Sequence, residues 1–372
     1  MTTLDAASNR SGHLPGAPLA PSIHLSADDI DFHEITGRSI GGTDVESAAT
    51  FLTGRRVLVT GAGGSIGSEL CRQIARFRPS ELIMLDRDET GLQQTQVSLS
   101  GHGLLDSPHL LLADIRDGDA LTDTFVDRKP DVVFHAAALK HLPLLERYPD
   151  EAWKTNVLGT LNVLRASRAA GAERFVNIST DKAANPTSTL GSSKHLAERL
   201  TAAFAGDQGE RYASVRFGNV FASRGSLVPL LVDLINAGKP VTVTHPDATR
   251  YFMSIPEASQ LVIHAGAIAE PGEILVLDMG QPVRILDVVN RVIEQTGRPT
   301  EIIFTGLRPG EKIHEELIGA GEIVHRSKHP KISHTRVEPL APEDLDRRLL
   351  LGYVPRGSSA GCVRGDAQPL SA

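Results

Sequence analysis

A hydroxyl, a carboxylate and an amine stand side by side at Thr180-Asp181-Lys182, and a second amine follows at Lys194. Adjacent Asp and Lys side chains can act as proton donor and proton acceptor at one site when burial moves their pKa values toward each other. On an exposed loop the same two residues would form only a weak ion pair. Position separates the two readings. The triplet directly follows Arg174–Ile178, an apolar run with the composition of a buried strand. Open parallel sheets bind ligands beyond the carboxyl ends of their strands, so the triplet is a candidate acid–base centre.

The elements that must hold this centre announce themselves earlier in the chain. Val57–Thr60 runs into Gly61-Ala-Gly-Gly64-Ser65-Ile66-Gly67 and then into a helical pattern. Glycines at 61, 64 and 67 permit a tight turn, close backbone approach to a pyrophosphate and close helix–strand packing. The helix start at Ser65 and Ile66 offers free N–H groups and a partial positive charge to phosphates. A second strand ends at Asp86, where a carboxylate can take both hydroxyls of a ribose and repel a 2′-phosphate. NAD is therefore favoured over NADP, with the neighbouring Arg87 as the residue that argues the other way. Asp114 and Ile115 follow the third strand and can bracket an adenine. Ala136, Ala137 and Ala138 follow the fourth strand as small-residue backbone that can line a cofactor. His135 has no second ligating residue spaced with it and reads as a packed side chain.

Strand candidates at Arg56–Thr60, Glu81–Leu85, Leu110–Ala113, Asp131–Phe134, Arg174–Ile178 and Ala213–Arg216 alternate with helical segments such as Ser65–Phe77 and Asn156–Ala170. That alternation predicts an α/β fold, a Rossmann-type doubly wound parallel sheet. From about residue 218 the rhythm becomes irregular and richer in Pro and Gly, which predicts a smaller C-terminal substrate-binding domain. The expected divisions are a disordered tail over 1–22, an N-terminal arm over 23–53 and a NAD-binding domain over 54–217. A mainly substrate-binding region over 218–335 returns some elements to the first domain, and a helix and flexible tail occupy 336–372.

The balance of 38 basic and 45 acidic residues, net −7, argues against a nucleic-acid surface. Two cysteines, Cys71 and Cys362, are too few for a disulfide framework or a zinc cluster, so no metal is expected. No apolar run reaches membrane-spanning length and the first residues lack a signal-peptide pattern, so a soluble cytoplasmic protein without membrane insertion is expected.

With these blocks in place, the chain resembles the extended short-chain dehydrogenases/reductases, and within them the nucleotide-sugar 4,6-dehydratases of the capsule and flagellar-glycan group. The resemblance spans about Ile30 to Ile332. It is carried by Gly61–Glu69, Ala137–Glu146, Ser179–Lys194, Val215–Ser226, His245–Met253 and Leu307–Lys312. It implies an enzyme that dehydrates a nucleotide-activated hexose, with UDP-N-acetylglucosamine as the default substrate, and a homo-oligomer. Longer relatives carry membrane helices first; this chain keeps the linking segment Ile30–Arg38 and reads as a form without them.

The reaction so implied oxidises sugar C4, removes the C5 proton while the C6 hydroxyl leaves as water, and returns hydride to C6. By the resemblance Asp181 is the acid at C6, Lys182 the base at C5, Thr180 a hydrogen-bond partner of the C4 oxygen, and Lys194 the holder of the nicotinamide ribose. Arg224, Arg250 and Arg308 are implied as phosphate or hydroxyl contacts, as their bidentate geometry suits. Glu311 is implied at the substrate ribose, Asn219 beside the diphosphate or uracil, and Lys140 and His141 beside the sugar. Leu190 departs from the flagellar branch, which has Tyr there, and follows the apolar choice of the capsule branch. Leucine accepts no proton, so Asp181, Lys182 or a water takes the first one. The capsule-like residue implies a product that keeps its C5 configuration. Two rivals stay open, a 4-epimerase on the same fold and a catalytically silent NAD-binding protein.

Overall fold

Strands form where β-branched and aliphatic residues run uninterrupted, because a parallel sheet is buried on both faces. Six of them are Arg56–Thr60 (β1), Glu81–Asp86 (β2), Leu110–Leu112 (β3), Val132–His135 (β4), Arg174–Ile178 (β5) and Arg211–Arg216 (β6). The structure is a computed structural model and describes residues 26–37, 45–206 and 210–352. The expected tails over 1–22 and after Tyr353 lie outside the described residues.

Among the described residues the main sheet has nine strands in the order β3-β2-β1-β4-β5-β6, then Glu273–Leu277, Ile332–Arg336 and His325–His329. Pairing from β3 through Glu273–Leu277 is parallel, and Ile332–Arg336 joins antiparallel. The doubly wound sheet is thus present, extended by strands from the last third of the chain. Strand order reverses between β1 and β4, which opens a crevice above their carboxyl ends.

Side chains alternate through the sheet, as a period of two requires. Val57 and Val59 face one layer with Leu70, Ile74 and Leu261, while Leu58 faces the other with Phe125, Val163 and Leu200. Each such burial contributes about 1.5–3 kcal/mol. A separate cluster of Val228, Leu231, Val241, Val288 and Val292 forms the core of the region after β6. The arm reaches this cluster through Ile30 and Ile35. Asp31 caps its helix Phe32–Thr36 by accepting from Glu34 N, and Gln295 binds both Asp31 N and Glu34.

The predicted helix Asn156–Ala170 starts earlier and more loosely. Trp153–Gly159 is a π-helical stretch that continues into the α-helix Thr160–Ala169. Among the described residues no helix is long and apolar enough to cross a membrane, and no three His, Cys, Asp or Glu are grouped to hold a metal.

Candidate active site

β5 ends at Ile178, and the chain turns at once through Ser179-Thr180-Asp181-Lys182. Thr180 caps the short 3-10 turn Asp181–Ala183. Ser188 then caps the helix Thr189–Phe204 by accepting from Gly191 N at 3.1 Å. The helix start presses on the turn: a Cβ on Gly191 would lie 2.4 Å from the Lys182 carbonyl oxygen. Glycine at 191 is what lets the two segments touch.

Asp181 is fully buried. Its Oδ1 accepts from Thr180 Oγ1 at 2.9 Å and from Lys182 Nζ at 2.9 Å. Its Oδ2 is buried without a hydrogen-bond partner, beside Gly218. Thr180 and Lys182 line a cleft of about 670 Å³, together with Leu190, Lys194, Lys140, His141 and Asn219. Asp181 itself is not among the lining residues, so Thr180 and Lys182 stand between its carboxylate and the cleft. Asn219 also accepts from Lys182 Nζ, at 3.4 Å.

The two lysines differ electrostatically. Burial opposes the Lys182 charge, but Asp181 and Glu315 outweigh it and raise its amine above the ordinary lysine range. Burial pushes Lys194 down to about 8, with Glu198 opposing. Burial also lowers Lys140, with Arg224 adding to it, and lowers His141, with Lys140 adding to it. Leu190 is buried against Leu145 and Ala152, with Leu139 and Leu142 beside them, so this wall of the cleft is apolar.

A smaller cavity of about 150 Å³ adjoins the cleft and is lined by Gly61, Gly64, Asp86, Arg87, Asp114, Ile115, Ala136, Ala137 and Ala138. Gly64, Ala136, Ala138 and Leu139 line both cavities. Gly61 has φ +69°, and a Cβ there would lie 2.6 Å from Ala137 N, so only glycine fits the turn against the end of β4. Ser65, Ile66 and Gly67 begin the helix Ser65–Ala75 and line the larger cleft. Asp86 braces the turn by accepting from Gly63 N at 2.8 Å. Arg87 is paired with Asp114 at 3.6 Å. A helix N-terminus, small-residue walls and a strand-end carboxylate together fit a dinucleotide. His135 is satisfied between Thr60 at 2.7 Å and Thr160 at 3.0 Å, and burial, reinforced by Lys194, pushes its pKa down to about 3. It is a packed residue.

The implied substrate cations sit differently from one another. Arg224 lies over the glycine-rich turn, donating to Gly63 O at 2.8 Å and pairing with Asp88 at 3.3 Å. That location is on the cofactor side of the cleft. Arg250 donates to the carbonyls of Thr249, Ile313 and Lys312 and faces Glu315 at 3.8 Å. Those contacts tie two segments of the chain together through three of the guanidinium's N–H groups. Arg308 and Glu311 pair with each other at 2.8 Å, with Arg308 more than half exposed. They are not among the residues lining the cleft.

Several residues of the site escaped the sequence reading. Glu315 contacts Lys182 Nζ at 3.4 Å. Asn156, inside the π-helical stretch, binds both N and O of Leu139 and Ser193 Oγ. Glu198 accepts from Ser179 at 2.6 Å and from the fully buried Arg216, which also pairs with Glu322 at 2.8 Å. Burial works against that arginine's charge, yet Glu198 and Glu322 hold its pKa above the ordinary value. Arg216 lies within the Val215–Ser226 block, whereas Glu315, Asn156, Glu198 and Glu322 carry no motif signal that singles them out.

The family pattern of polysaccharide biosynthesis proteins matches residues 57–337. The chain belongs to that family. Within it, the chain is 46% identical over 308 residues to the probable polysaccharide biosynthesis protein EpsC of Bacillus subtilis, covering 82% of this chain and 52% of that one. It is 42% identical over 324 residues to the capsular polysaccharide biosynthesis protein CapD of Staphylococcus aureus, covering 85% and 54%. The chain thus spans about half the length of these two curated relatives. It is also 35% identical over 280 residues to the UDP-glucose 4-epimerase of Rickettsia akari, covering 72% and 79%.

Among solved structures, Pen from Bacillus thuringiensis matches with TM-score 0.69 and 31% identity, covering 77% of this chain and 90% of that one. The dTDP-glucose 4,6-dehydratase DesIV of Streptomyces venezuelae, solved with NAD and TYD bound, matches with TM-score 0.63 and 22% identity, covering 71% and 88%. That second likeness shows the fold.

Proposed function

We propose that the protein is a NAD-dependent 4,6-dehydratase of a nucleotide-activated hexose, with UDP-N-acetylglucosamine as the first substrate to test. The observation that carries the reading is the hydrogen-bonded chain Thr180–Asp181–Lys182 at the wall of the cleft, with Thr180 Oγ1 and Lys182 Nζ each 2.9 Å from one carboxylate oxygen. Oxidation at C4 alone needs no second proton-handling group, whereas removing a C5 proton and a C6 hydroxyl needs both an acceptor and a donor.

Gly61, Gly64, Ser65, Ile66, Gly67, Asp86, Ala136, Ala137, Ala138 and Lys194 are the residues that would hold NAD, with Asp114 and Ile115 at its adenine. NAD when bound supplies the acceptor and donor of hydride for sugar C4 and C6. The chain's own residues move the protons. The C4 hydroxyl proton passes through the Thr180 hydroxyl to Asp181, which explains how an apolar Leu190 is tolerated. Lys182, once its ammonium has released a proton to solvent, takes the C5 proton, the protonated Asp181 returns its proton through the Thr180 hydroxyl to the C6 oxygen, and water leaves. Lys182 then restores a proton at C5 from the face it took it, giving retained configuration. Each proton that leaves the sugar passes to a named group, and the Lys182 ammonium, whose other hydrogens come from solvent, returns one of them to C5. Asn219, Lys140 and His141 line the cleft where the sugar and diphosphate would lie. The homo-oligomer belongs to this reading through the family resemblance, and the cytoplasmic location through the sparse cysteines of the sequence.

The 35% identity to a UDP-glucose 4-epimerase favours a second reading, epimerisation at C4. One incubation in deuterated water with UDP-N-acetylglucosamine separates the two by product NMR. Dehydration gives a 4-keto-6-deoxy sugar with deuterium at C5. Epimerisation gives UDP-N-acetylgalactosamine with its C5 hydrogen retained, and that product would overturn the proposal. A panel of other nucleotide hexoses then assigns the sugar, and no turnover on any of them would point to a silent NAD-binding protein.

A further inference from the structure

Glu315 stands outside every motif that marked the site, 133 positions after Lys182, yet it reaches the same amine. Its side chain is 3% exposed and is not among the residues lining the cleft. Oε1 lies 3.4 Å from Lys182 Nζ and 3.8 Å from Arg250 Nε. Oε2 is buried without a hydrogen-bond partner. The Lys182 amine is thus flanked by two buried carboxylates, Asp181 from its own turn and Glu315 from the segment after the Arg308–Lys312 motif.

The charges that face Lys182 are Asp181, Glu315 and Arg250, with the Asn219 amide oxygen as a neutral acceptor. Asp181 cannot hold the amine in place throughout a reaction in which it gains and loses a proton. Glu315 is buried and does not line the cleft, and its segment is fixed from two sides. Arg250 holds the carbonyls of Lys312 and Ile313 just before it. Arg216 holds the Leu317 carbonyl and Glu322 just after it. Burying a carboxylate is costly unless it is paired, and this one is held by two cations, of which the Lys182 ammonium is the nearer.

We propose that Glu315 is a positioning residue for Lys182: it keeps the amine aimed into the cleft and supplies a constant negative charge beside it while Asp181 changes its own charge. The proposal rests on the reading of Lys182 as the C5 base. Two consequences follow from the geometry. Lys182 is a stronger base than it would be beside Asp181 alone, because Glu315 adds to the attraction for its proton. The acid limb of the rate profile, set by loss of the proton from Lys182, lies at higher pH than it would without Glu315.

The test compares full-length wild type, Glu315→Gln and Glu315→Asp. On the plateau above the acid limb, Glu315→Gln should lower kcat between about tenfold and a hundredfold, less than loss of an acid–base group, with KM little changed. Its acid limb should move to lower pH, while Glu315→Asp, which keeps the charge, should hold the limb near that of wild type. A second readout needs no substrate: acylation of Lys182 by an amine reagent, followed by peptide mass spectrometry across pH. Lys182 should become reactive at lower pH in Glu315→Gln than in wild type, and near the wild-type pH in Glu315→Asp. An unmoved acid limb and an unmoved acylation profile would overturn the proposal, as would a rise in KM alone, which would make Glu315 a substrate contact. If wild type dehydrates no nucleotide hexose, the proposed function falls, and the acylation profile alone decides whether Glu315 sets the state of Lys182. Should Glu315→Gln fail to fold, Glu315→Asp alone decides. Its carboxylate, one methylene shorter, should lower kcat with the acid limb and acylation profile held, and an undiminished kcat would overturn the proposal.

Discussion

Lys182, partly buried, and Lys194, buried, both line the wall of one cleft, and their surroundings push their amines in opposite directions. Lys182 lies between Asp181 at 2.9 Å and Glu315 at 3.4 Å, and its pKa is raised although burial opposes this. Lys194 lies one helical turn beyond the apolar Leu190, and burial pushes it down to about 8 with Glu198 in partial opposition. Burial alone therefore does not set the charge of an amine here. The difference comes from where carboxylates are placed. A lysine between carboxylates suits strong proton binding and transfer at a fixed point, and one in apolar surroundings suits hydrogen bonding near neutral pH.

The contrast can be broken in four places. Removing the nearer carboxylate is the largest change. Asp181→Asn should cost about 10²–10⁴-fold in dehydration rate with NAD binding kept, read by product NMR and by calorimetric titration with NAD. Next comes the contact that joins the two lysines' segments. Gly191→Ala would place its Cβ 2.4 Å from the Lys182 carbonyl oxygen, so it should destabilise the fold by about 1–3 kcal/mol in denaturant unfolding and reduce turnover.

The third concerns Lys194 itself. Its folded pKa lies near 8 against an ordinary 10.5, so across that window the unfolded chain binds the extra proton. The destabilisation from this residue is therefore complete below about 8 and fades as pH rises toward 10.5. Lys194→Met should raise stability at neutral pH by on the order of 1–2 kcal/mol and flatten that rise, as unfolding curves from pH 7 to 10 would show. The smallest effect belongs to Leu190→Tyr. If Thr180 and Asp181 already take the C4 proton, the rate should stay within about tenfold of wild type. A gain well beyond that would mean the natural protein lacks its first base.

How much of this was legible beforehand depended on sequence distance. β1 and β5 run over the expected residues, and the other four expected strands differ by one or two residues at their ends, because a doubly buried strand is written in consecutive Val, Ile and Leu. The glycine-rich turn was legible because its strand, turn and helix are contiguous. Thr180-Asp181-Lys182 was legible for the same reason. Glu315 was not, since its pairing with Lys182 joins segments that no local pattern connects. Arg216 was read within a motif block, but its two glutamate partners, Glu198 and Glu322, come from segments far apart in the chain. Arg250 was read as a substrate contact from its motif, and its hydrogen bonds to the carbonyls of Thr249, Ile313 and Lys312 are long-range contacts that no local pattern announces.

The most direct test of the central claim is Lys182→Met with UDP-N-acetylglucosamine in deuterated water, followed by NMR at C5 and C6. If Lys182 is the base of a dehydration, wild type yields a 6-deoxy product carrying deuterium at C5, and the variant yields neither the deuterium nor the 6-deoxy group. A variant that still delivers the deuterated 6-deoxy sugar at the wild-type rate would contradict the account.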